Sequence, residues 1–555
     1  MSVASVSAAR GAARWVDALL ERPRAVLGTL VAAQLTGTVA LAWSAPHNGW
    51  VYYQGGDQIV NTTTGWLFGR LELPPTEVGY LWPFVQIPIT WLTGPTFVQA
   101  LPALVPLQTL VLAPLALLCV FGIASEIGGR LLGYWACVLW VLAPFVAIPL
   151  FVDRYHEKWV DQFLPQALGL TAAADYVSMV LVLAAALFIV RSLAPDRLWD
   201  AALAGVLFGA ALGAKPSNVL LAAGAALAYP VARRWREAAA FAVAATPGLL
   251  TLALWKYRGL GELPALAQDE IRLAAGSGLA FVDVGRYLDL DVDHWRDQMG
   301  ALREFFWSAR LAQWAPFAGV LAVVRVRRGA IAALLAGWLG AYLVVKGFSE
   351  RASIESGSFW RLLMPAWPAY LLLLASIPLL VPTFPRRLGE RVRAPALRPV
   401  GRRSVLVAVV LAAVLPAVAT AVSSRQEPPT PTVVQEFPSG NILTPVDEGI
   451  DVTTARVGAA QKVTWTTGSW RGDVFYRVYR TDGAGDDVQC ALSSGRAWSC
   501  YLRTKPIAAT REKEFVDESP PAGVTYRIGV GTNWLDDPAL GDVFAISPPA
   551  PSAVP

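Results

Sequence analysis

Ionisable residues are sparse in this chain, and a few of them stand where acid–base or anion-binding chemistry could occur. Asp57 lies in "WVYYQGGDQIVNTTTGWLF", residues 50–68, a lone carboxylate among aromatics and glycines just after the first long apolar run. "GGD" is also good turn chemistry, so a solvated turn residue and a reactive carboxylate are both readings of it. A second group crowds "FVDRYHEKWVDQFLPQALGLTAAADYVS", which holds Asp153, Arg154, His156, Glu157, Lys158, Asp161 and Asp175. On a helix over 153–163, Glu157 and Asp161 would share a face while the adjacent His156 points elsewhere. Asp175 begins an apolar run, where an unpaired acid is costly and therefore tends to be functional. Lys215, in "GAKPSN" between two short apolar runs, is either a lysine snorkelling from a helix end or a cation that holds a lipid phosphate. Arg361 opens "RLLMPAWPAYLLLL", where a guanidinium could bind a phosphate bidentately. Glu350 and Arg351, close by, could be a surface ion pair.

The elements that must position these residues are membrane helices. The 555 residues are 55% hydrophobic and only 16% charged, against about 25% charged in soluble domains, and the mean hydropathy is +0.45. Apolar runs of bilayer-spanning length recur along residues 25–45, 98–122, 132–151, 177–192, 198–214, 217–232, 238–255, 307–324, 329–347, 361–381 and 405–423. A weaker, proline-broken run at 81–95 reads as an interfacial or re-entrant helix. The expected fold is a polytopic α-helical membrane protein of about eleven spans, over residues 1–424. Arginines cluster in the N-terminal tail (Arg10, Arg14, Arg22, Arg24), at Arg191 and Arg197, in "RRWR", in "RVRR" and seven-fold in 386–403. With eleven spans every cluster falls on one side, which by the positive-inside rule is the cytoplasm. The N-terminus is then cytoplasmic and the C-terminus extracytoplasmic, in a cell (plasma) membrane. The long opposite loops 46–80, 152–176, 256–306 and 348–360 carry His47, His156 and His294, and point to external recognition or chemistry. The net charge of +5 is confined to short links, so it does not indicate nucleic acid. An N-terminus lacking a short apolar stretch and cleavage site reads as having no removable signal peptide.

The C-terminal part differs in composition. A Pro-rich linker over 425–445 leads to alternating segments such as "KVTWTTG", "DVFYRVYRT", "AWSCYLRT", "VTYRIGVGT" and "DVFAISPP", which predict a small β-sandwich over 446–555. The pattern "FYRVYRT…FVD…PPAGVTYRIGV" resembles a fibronectin type III module. Cys119 and Cys137 fall in apolar runs and read as buried small hydrophobes. Cys490 and Cys500, ten residues apart in the β region, would form a disulfide outside the cell.

A first helix, a long external loop with an acid near its start, and more than eight further spans together resemble the GT-C superfamily of glycosyltransferases. That resemblance implies a polyprenyl-phosphate-linked sugar as donor and an envelope glycan, lipid or protein as acceptor. It also implies Asp57 as catalytic base, although "GDQ" stands here where many relatives show paired acids. It further implies that an acid of the second loop (His156, Glu157, Asp161 and Asp175 being the residues in play) contacts acceptor, metal or lipid phosphate. A divalent cation has a place in such a scheme, with no ligands assigned. "KP" at Lys215 and the "R-x-L-x-P-x-x-P" start at Arg361 also match the superfamily's pattern and imply donor binding. Two other classes compete. A transporter or flippase would place ionisable residues within spans and show inverted repeats; a scaffold displaying the β-domain would not need four elaborate loops.

Overall fold

A computed structural model of the chain describes residues 20–44, 57–73, 78–93, 97–147, 164, 167–260, 263, 292–305, 310–348, 361, 363–381, 399–425, 432–437, 440–445, 449–467, 474–481, 488–493, 497–502, 506–532 and 543–553. The helices, in order, are α1 (Pro23–Ser44), α2 (Asp57–Phe68), α3 (Leu81–Thr93), α4 (97–128), α5 (Arg130–Val146), α6 (Ala174–Ser192), α7 (Leu198–Ala214), α8 (Pro216–Ala232), α9 (Trp235–Leu260), α10 (Val292–Phe305), α11 (Arg310–Arg325), α12 (Gly329–Gly347), α13 (Met364–Leu380) and α14 (Arg402–Val422).

Each apolar run falls on a helix, but the helices differ in reach. Among the described residues six helices are long and apolar enough to cross a membrane: α1, α4, α6, α9, α12 and α14. Four apolar helices, α5, α7, α8 and α13, are shorter, and α11 has 16 residues. Six spans by that measure is fewer than the eleven that hydropathy windows predict. Proline interrupts the regular α-helix at several places. It lacks an N–H and clashes with the carbonyl one turn back, so neighbouring backbone slips into another helical register. Accordingly α4 carries a π turn at Leu107–Leu112 before Pro114, and α14 carries one at Val410–Val414 before Pro416. In α13, Pro365 and Pro378 coincide with 3₁₀ turns at its two ends.

Burial sorts the helices into centre and periphery. Of α6's span, 83% is buried, against 17% for α1 and 22% for α14. α6 is apolar on every side, as a helix surrounded by helices must be. It packs on α4 and α7 around a core that includes Leu183, Ala186 and Ile189. Large apolar side chains of the outer helices, among them Trp43, Val243, Leu250, Leu411 and Val418, are exposed. Such a belt suits hydrocarbon rather than water.

Long-range contacts divide the helix ends into two groups. At one end Arg130 Nη1 donates to Leu20 O (2.9 Å), Arg234 Nε to Leu193 O (3.0 Å) and Arg325 to Leu380 O. Asp200 forms ion pairs with Arg191 (3.0 Å) and Arg197 (3.4 Å) there. At the other end the segment after α2 ties several helices together. Its short strand β1 (Glu72–Leu73) runs parallel to β2 (Ser424–Arg425), just past α14. Arg258 of α9 donates to Ser423 O, and Trp255 Nε1 and Lys256 Nζ donate to Val78 O at 3.0 and 3.2 Å.

Twelve further strands follow: β3 (Thr432–Phe437), β4 (Gly440–Pro445), β5 (Asp451–Val457), β6 (Ala460–Thr466), β7 (Val474–Thr481), β8 (Val488–Ser493), β9 (Ala497–Leu502), β10 (Pro506–Thr510), β11 (Glu514–Asp517), β12 (Thr525–Thr532), β13 (Val543–Ile546) and β14 (Ala550–Pro551). One sheet has the order β10-β7-β12-β13 with β14 also on β12, and a second has β11-β6-β5. Val463 and Trp465 of one share a core with Tyr476, Val478, Tyr526, Ile528 and Val530 of the other. Alternating strand residues place these side chains on one face. The segment read as a Pro-rich linker contains a structured hairpin, β3–β4.

Candidate functional site

Asp175 occupies the first turn of α6, at the end of the bundle tied by residues 71–73 and 78–80, and is 1% exposed. Its carboxylate sits where the helix dipole favours negative charge. Lys215, which ends α7, places its Nζ on Asp175 Oδ1, and Arg361 reaches Oδ2 with Nε at 3.4 Å. A buried carboxylate needs such partners, because leaving water without them is prohibitive. The three residues come from three separate stretches of chain, and both cations keep some exposure, 19% for Lys215 and 35% for Arg361.

A neutral bracket stands one turn below. Asn218 follows Lys215 by three residues and is fully buried. Its Nδ2 donates to Ser178 Oγ and to Ala211 O, both at 2.7 Å, and its Oδ1 accepts Tyr342 OH at 2.9 Å. Ser178 lies three residues after Asp175, and Tyr342 four before Lys346, so each pair shares a helix face. The bracket thereby locks α6, α8 and α12 in register beneath the charges. Lys346, in the last turn of α12, is 4% exposed and lies within electrostatic reach of Lys215.

The α2 helix approaches the same place. Gln58 donates to Thr171 O, Trp82 Nε1 to Ala172 O (3.1 Å) and Gln108 Nε2 to Ala173 O (3.0 Å). Three consecutive carbonyls leading into Asp175 are therefore held by α2, α3 and α4. Asp57 is the residue before Gln58 and opens α2, so its backbone stands beside the entry to α6. On the other flank the chain touches the turn that carries Lys215. A Cβ on Gly79 would lie 2.6 Å from Ala214 O and overlap Gly213 O, while the Tyr80 ring covers Gly213. Only glycine allows backbone to meet backbone this closely.

Beside the charges lies a small apolar hollow lined by Trp140, Val141, Leu168, Met179, Met364 and Trp367, with Gln34 at its wall. Met179 is one turn past Asp175 and Met364 three residues past Arg361, so the hollow begins where the charged cluster stops.

Of the residues singled out from sequence, Asp175, Lys215 and Arg361 converge. Asp57 is placed through its backbone at the start of α2, and its side chain lies outside the described residues, as do His156, Glu157 and Asp161. Cys490 and Cys500 are directly opposite in the antiparallel β8–β9 pair. Sequence reasoning missed Asn218, Tyr342, Lys346 and the Gly79–Tyr80 brace. The pair Tyr342 and Lys346, four apart in an otherwise apolar run, carried the signal of intramembrane polar residues. Among the described residues no three His, Cys, Asp or Glu side chains gather as a metal site, and Asp175 spends both oxygens on cations.

No family model matches the chain, and no curated protein matches it. Among solved structures, the archaeal oligosaccharyltransferase AglB from Archaeoglobus fulgidus, in complex with an inhibitory peptide and a dolichol-phosphate, is similar at 13% identity and a TM-score of 0.36, over 73% of this chain and 56% of that one. The apo form of the Archaeoglobus fulgidus oligosaccharyltransferase matches at 13% and 0.36, over 73% and 57%. Its complex with Zn and sulfate matches at 14% and 0.36, over 73% and 54%. This chain spans just over half the length of those proteins.

Proposed function

We propose that this chain is a polytopic GT-C-type glycosyltransferase that moves a sugar from a polyprenyl-phosphate donor to an extracytoplasmic acceptor with inversion. One observation carries the reading: Asp175, Lys215 and Arg361, from three separate stretches, meet at the helix-bundle end where α2 begins and an apolar hollow opens. That is the layout needed by an amphiphilic donor with an anionic head and a hydrocarbon tail.

In this reading the hollow takes the polyprenyl chain and Lys215 and Arg361 take the phosphate. The acceptor hydroxyl attacks the anomeric carbon, forming the new C–O bond as the bond from that carbon to the phosphate oxygen breaks. The electron pair leaves on the lipid phosphate, and the hydroxyl proton passes to the Asp57 carboxylate as general base. Preset cations at the developing charge are worth more here than in water, because the surroundings are poorly hydrated. Asp175 holds the two cations in place until the donor enters. His156, Glu157 and Asp161 are the second-loop residues that would contact donor or acceptor. Eleven crossings of the cell membrane, with the β-domain outside, set the cluster at the outer face. The β-domain, fibronectin type III-like in pattern, then hangs over the site to guide the acceptor.

The test is transfer in proteoliposomes from a radiolabelled polyprenyl-phosphate sugar to envelope acceptors. We expect Asp57→Asn to insert normally and to lose transfer by about 100- to 10,000-fold, the range for removing a general base. Unchanged transfer removes Asp57 from the role, and movement of the lipid across the bilayer without transfer favours a flippase. An extracytoplasmic β-domain also predicts a Cys490–Cys500 disulfide, since opposed antiparallel residues have Cα atoms about 4.5–5.5 Å apart, within disulfide range. Thiol labelling of the membrane protein should therefore rise by two sites per chain on reduction, and an equal count before and after refutes the pairing.

A further inference from the structure

Among the described side chains, the charges at the site do not balance. Asp175 is the one carboxylate paired there among the described residues, and Lys215 and Arg361 both lie on it. Lys346 adds a third cation, 4% exposed, and no carboxylate pairs with it among the described residues. Its charged neighbour is Lys215, of the same sign. A lysine that merely snorkels would keep its ammonium group in water. Lys346 is instead buried, and the residues that follow it are covered by α10: Trp295 and Met299 close over Gly347, and the Trp295 indole lies 6.0 Å from the Phe348 ring. Nor is it loosely held, because the Tyr342–Asn218–Ser178 bracket fixes α12 one turn away. Among the described side chains, and before the Asp57 carboxylate that the glycosyltransferase reading brings to the site, cations outnumber carboxylates there, and a buried cation without a counter-charge is disfavoured.

We infer that Lys346 is a third phosphate-binding cation of the donor site, serving the charge that appears on the lipid phosphate when the sugar leaves. The inference rests on the glycosyltransferase reading. A polyprenyl-phosphate sugar is a phosphodiester with one negative charge. Once the bond to the anomeric carbon breaks, the polyprenyl phosphate is a monoester, whose charge approaches −2 near neutral pH because its second pKa is about 6. Lys215 and Arg361, already shared with Asp175, suffice to seat the diester. The second charge needs a further cation, and Lys346 supplies it. An interaction that strengthens as the leaving group departs raises turnover more than ground-state affinity.

The experiment measures binding of undecaprenyl monophosphate, a methyl-capped undecaprenyl phosphodiester and neutral undecaprenol to full-length protein in nanodiscs, alongside transfer kinetics. Lys346→Gln and Lys346→Met are expected to weaken the monophosphate about 10- to 100-fold, the range for one charge-assisted hydrogen bond. They should affect the diester less and leave undecaprenol unchanged, and kcat should fall more than KM rises. Lys346→Arg should retain monophosphate binding. The ligand-free melting temperature of Lys346→Met should equal or exceed that of the wild type, because an uncompensated buried charge has gone. Monophosphate affinity equal to wild type in the Gln and Met variants overturns the inference and leaves the glycosyltransferase reading standing. A lowered ligand-free melting temperature in all three variants, with binding per folded molecule unchanged, overturns it in favour of a structural lysine. Wild-type protein that binds none of the lipids and transfers no sugar overturns the inference together with the reading beneath it.

Discussion

Both ends of the helix bundle bury one carboxylate between two cations, and the two clusters are built differently. Asp200 meets Arg191 and Arg197, all within the α6–α7 hairpin, at 3.0 and 3.4 Å. Asp175 meets Lys215 and Arg361, which reach it from α7's far end and from the residues before α13. The first cluster closes a tight turn between two helices, as a local staple does. The second draws separate stretches together, has a further buried lysine alongside and an apolar hollow beneath, and is flanked by the start of α2. A buried ion triad is therefore not evidence of a site. What separates the two is whether the partners were already neighbours in the chain.

The strongest way to break this comparison is to neutralise each carboxylate in turn. Asp175→Asn and Asp200→Asn should each destabilise the fold, by less than the cost of breaking a fully buried pair, about 3–5 kcal/mol, because each leaves partly exposed cations without their carboxylate. Thermal unfolding in detergent should show similar losses. Turnover per folded molecule should fall only in Asp175→Asn; an equal fall in Asp200→Asn would reduce both clusters to structural staples.

A smaller effect is expected from the brace. Gly79→Ala adds a methyl group that meets the carbonyl oxygens of Gly213 and Ala214. The strain of such overpacking is about 1–3 kcal/mol, and it acts on the turn that carries Lys215. Transfer should decline more than melting temperature does. A variant that melts earlier but turns over normally would show that the loop only packs there.

The smallest effect concerns a third carboxylate cluster, outside the membrane helices. Burial pushes the Asp517 carboxyl up, but bonds from Arg480 Nη1 (2.9 Å) and Tyr526 OH (2.8 Å), with the Arg480 charge and the Ser519 amide, leave it below the ordinary aspartate range. A depressed carboxyl stabilises the fold at pH above its unfolded value, and that stability is lost as pH falls through the lower folded value. Fluorescence of the core Trp465 should report β-domain loosening only in acid, well below neutral pH. Asp517→Asn should weaken the domain at neutral pH and flatten the acid dependence. An acid profile identical to wild type would mean that other groups control it.

Much of the helical architecture was legible. Leu198–Ala214 and Gly329–Gly347 coincide with their apolar windows, and "VTYRIGVGT" coincides with β12. Hydropathy and alternation are local properties, so a short window suffices to read them. Less legible were the π and 3₁₀ breaks and the β3–β4 hairpin in what reads as a linker, where proline content pointed away from a strand. Within the site, Asp175, Lys215 and Arg361 stood out as ionisable residues at the ends of apolar runs. Lys346 and Tyr342 had the same signal and were passed over inside a run that scored as one more span.

By itself the sequence determined which stretches become apolar helices, where their polar ends fall and that a β-rich region follows them, because transfer free energy and backbone periodicity are set within some twenty neighbouring residues. Tertiary structure alone decided that Lys215 and Arg361 share Asp175, that Lys346 stands beside them, and that Gly79 lies against the α7–α8 turn. Those meetings depend on how helices far apart in the chain pack, and packing is a property of surfaces brought together, not of any one segment.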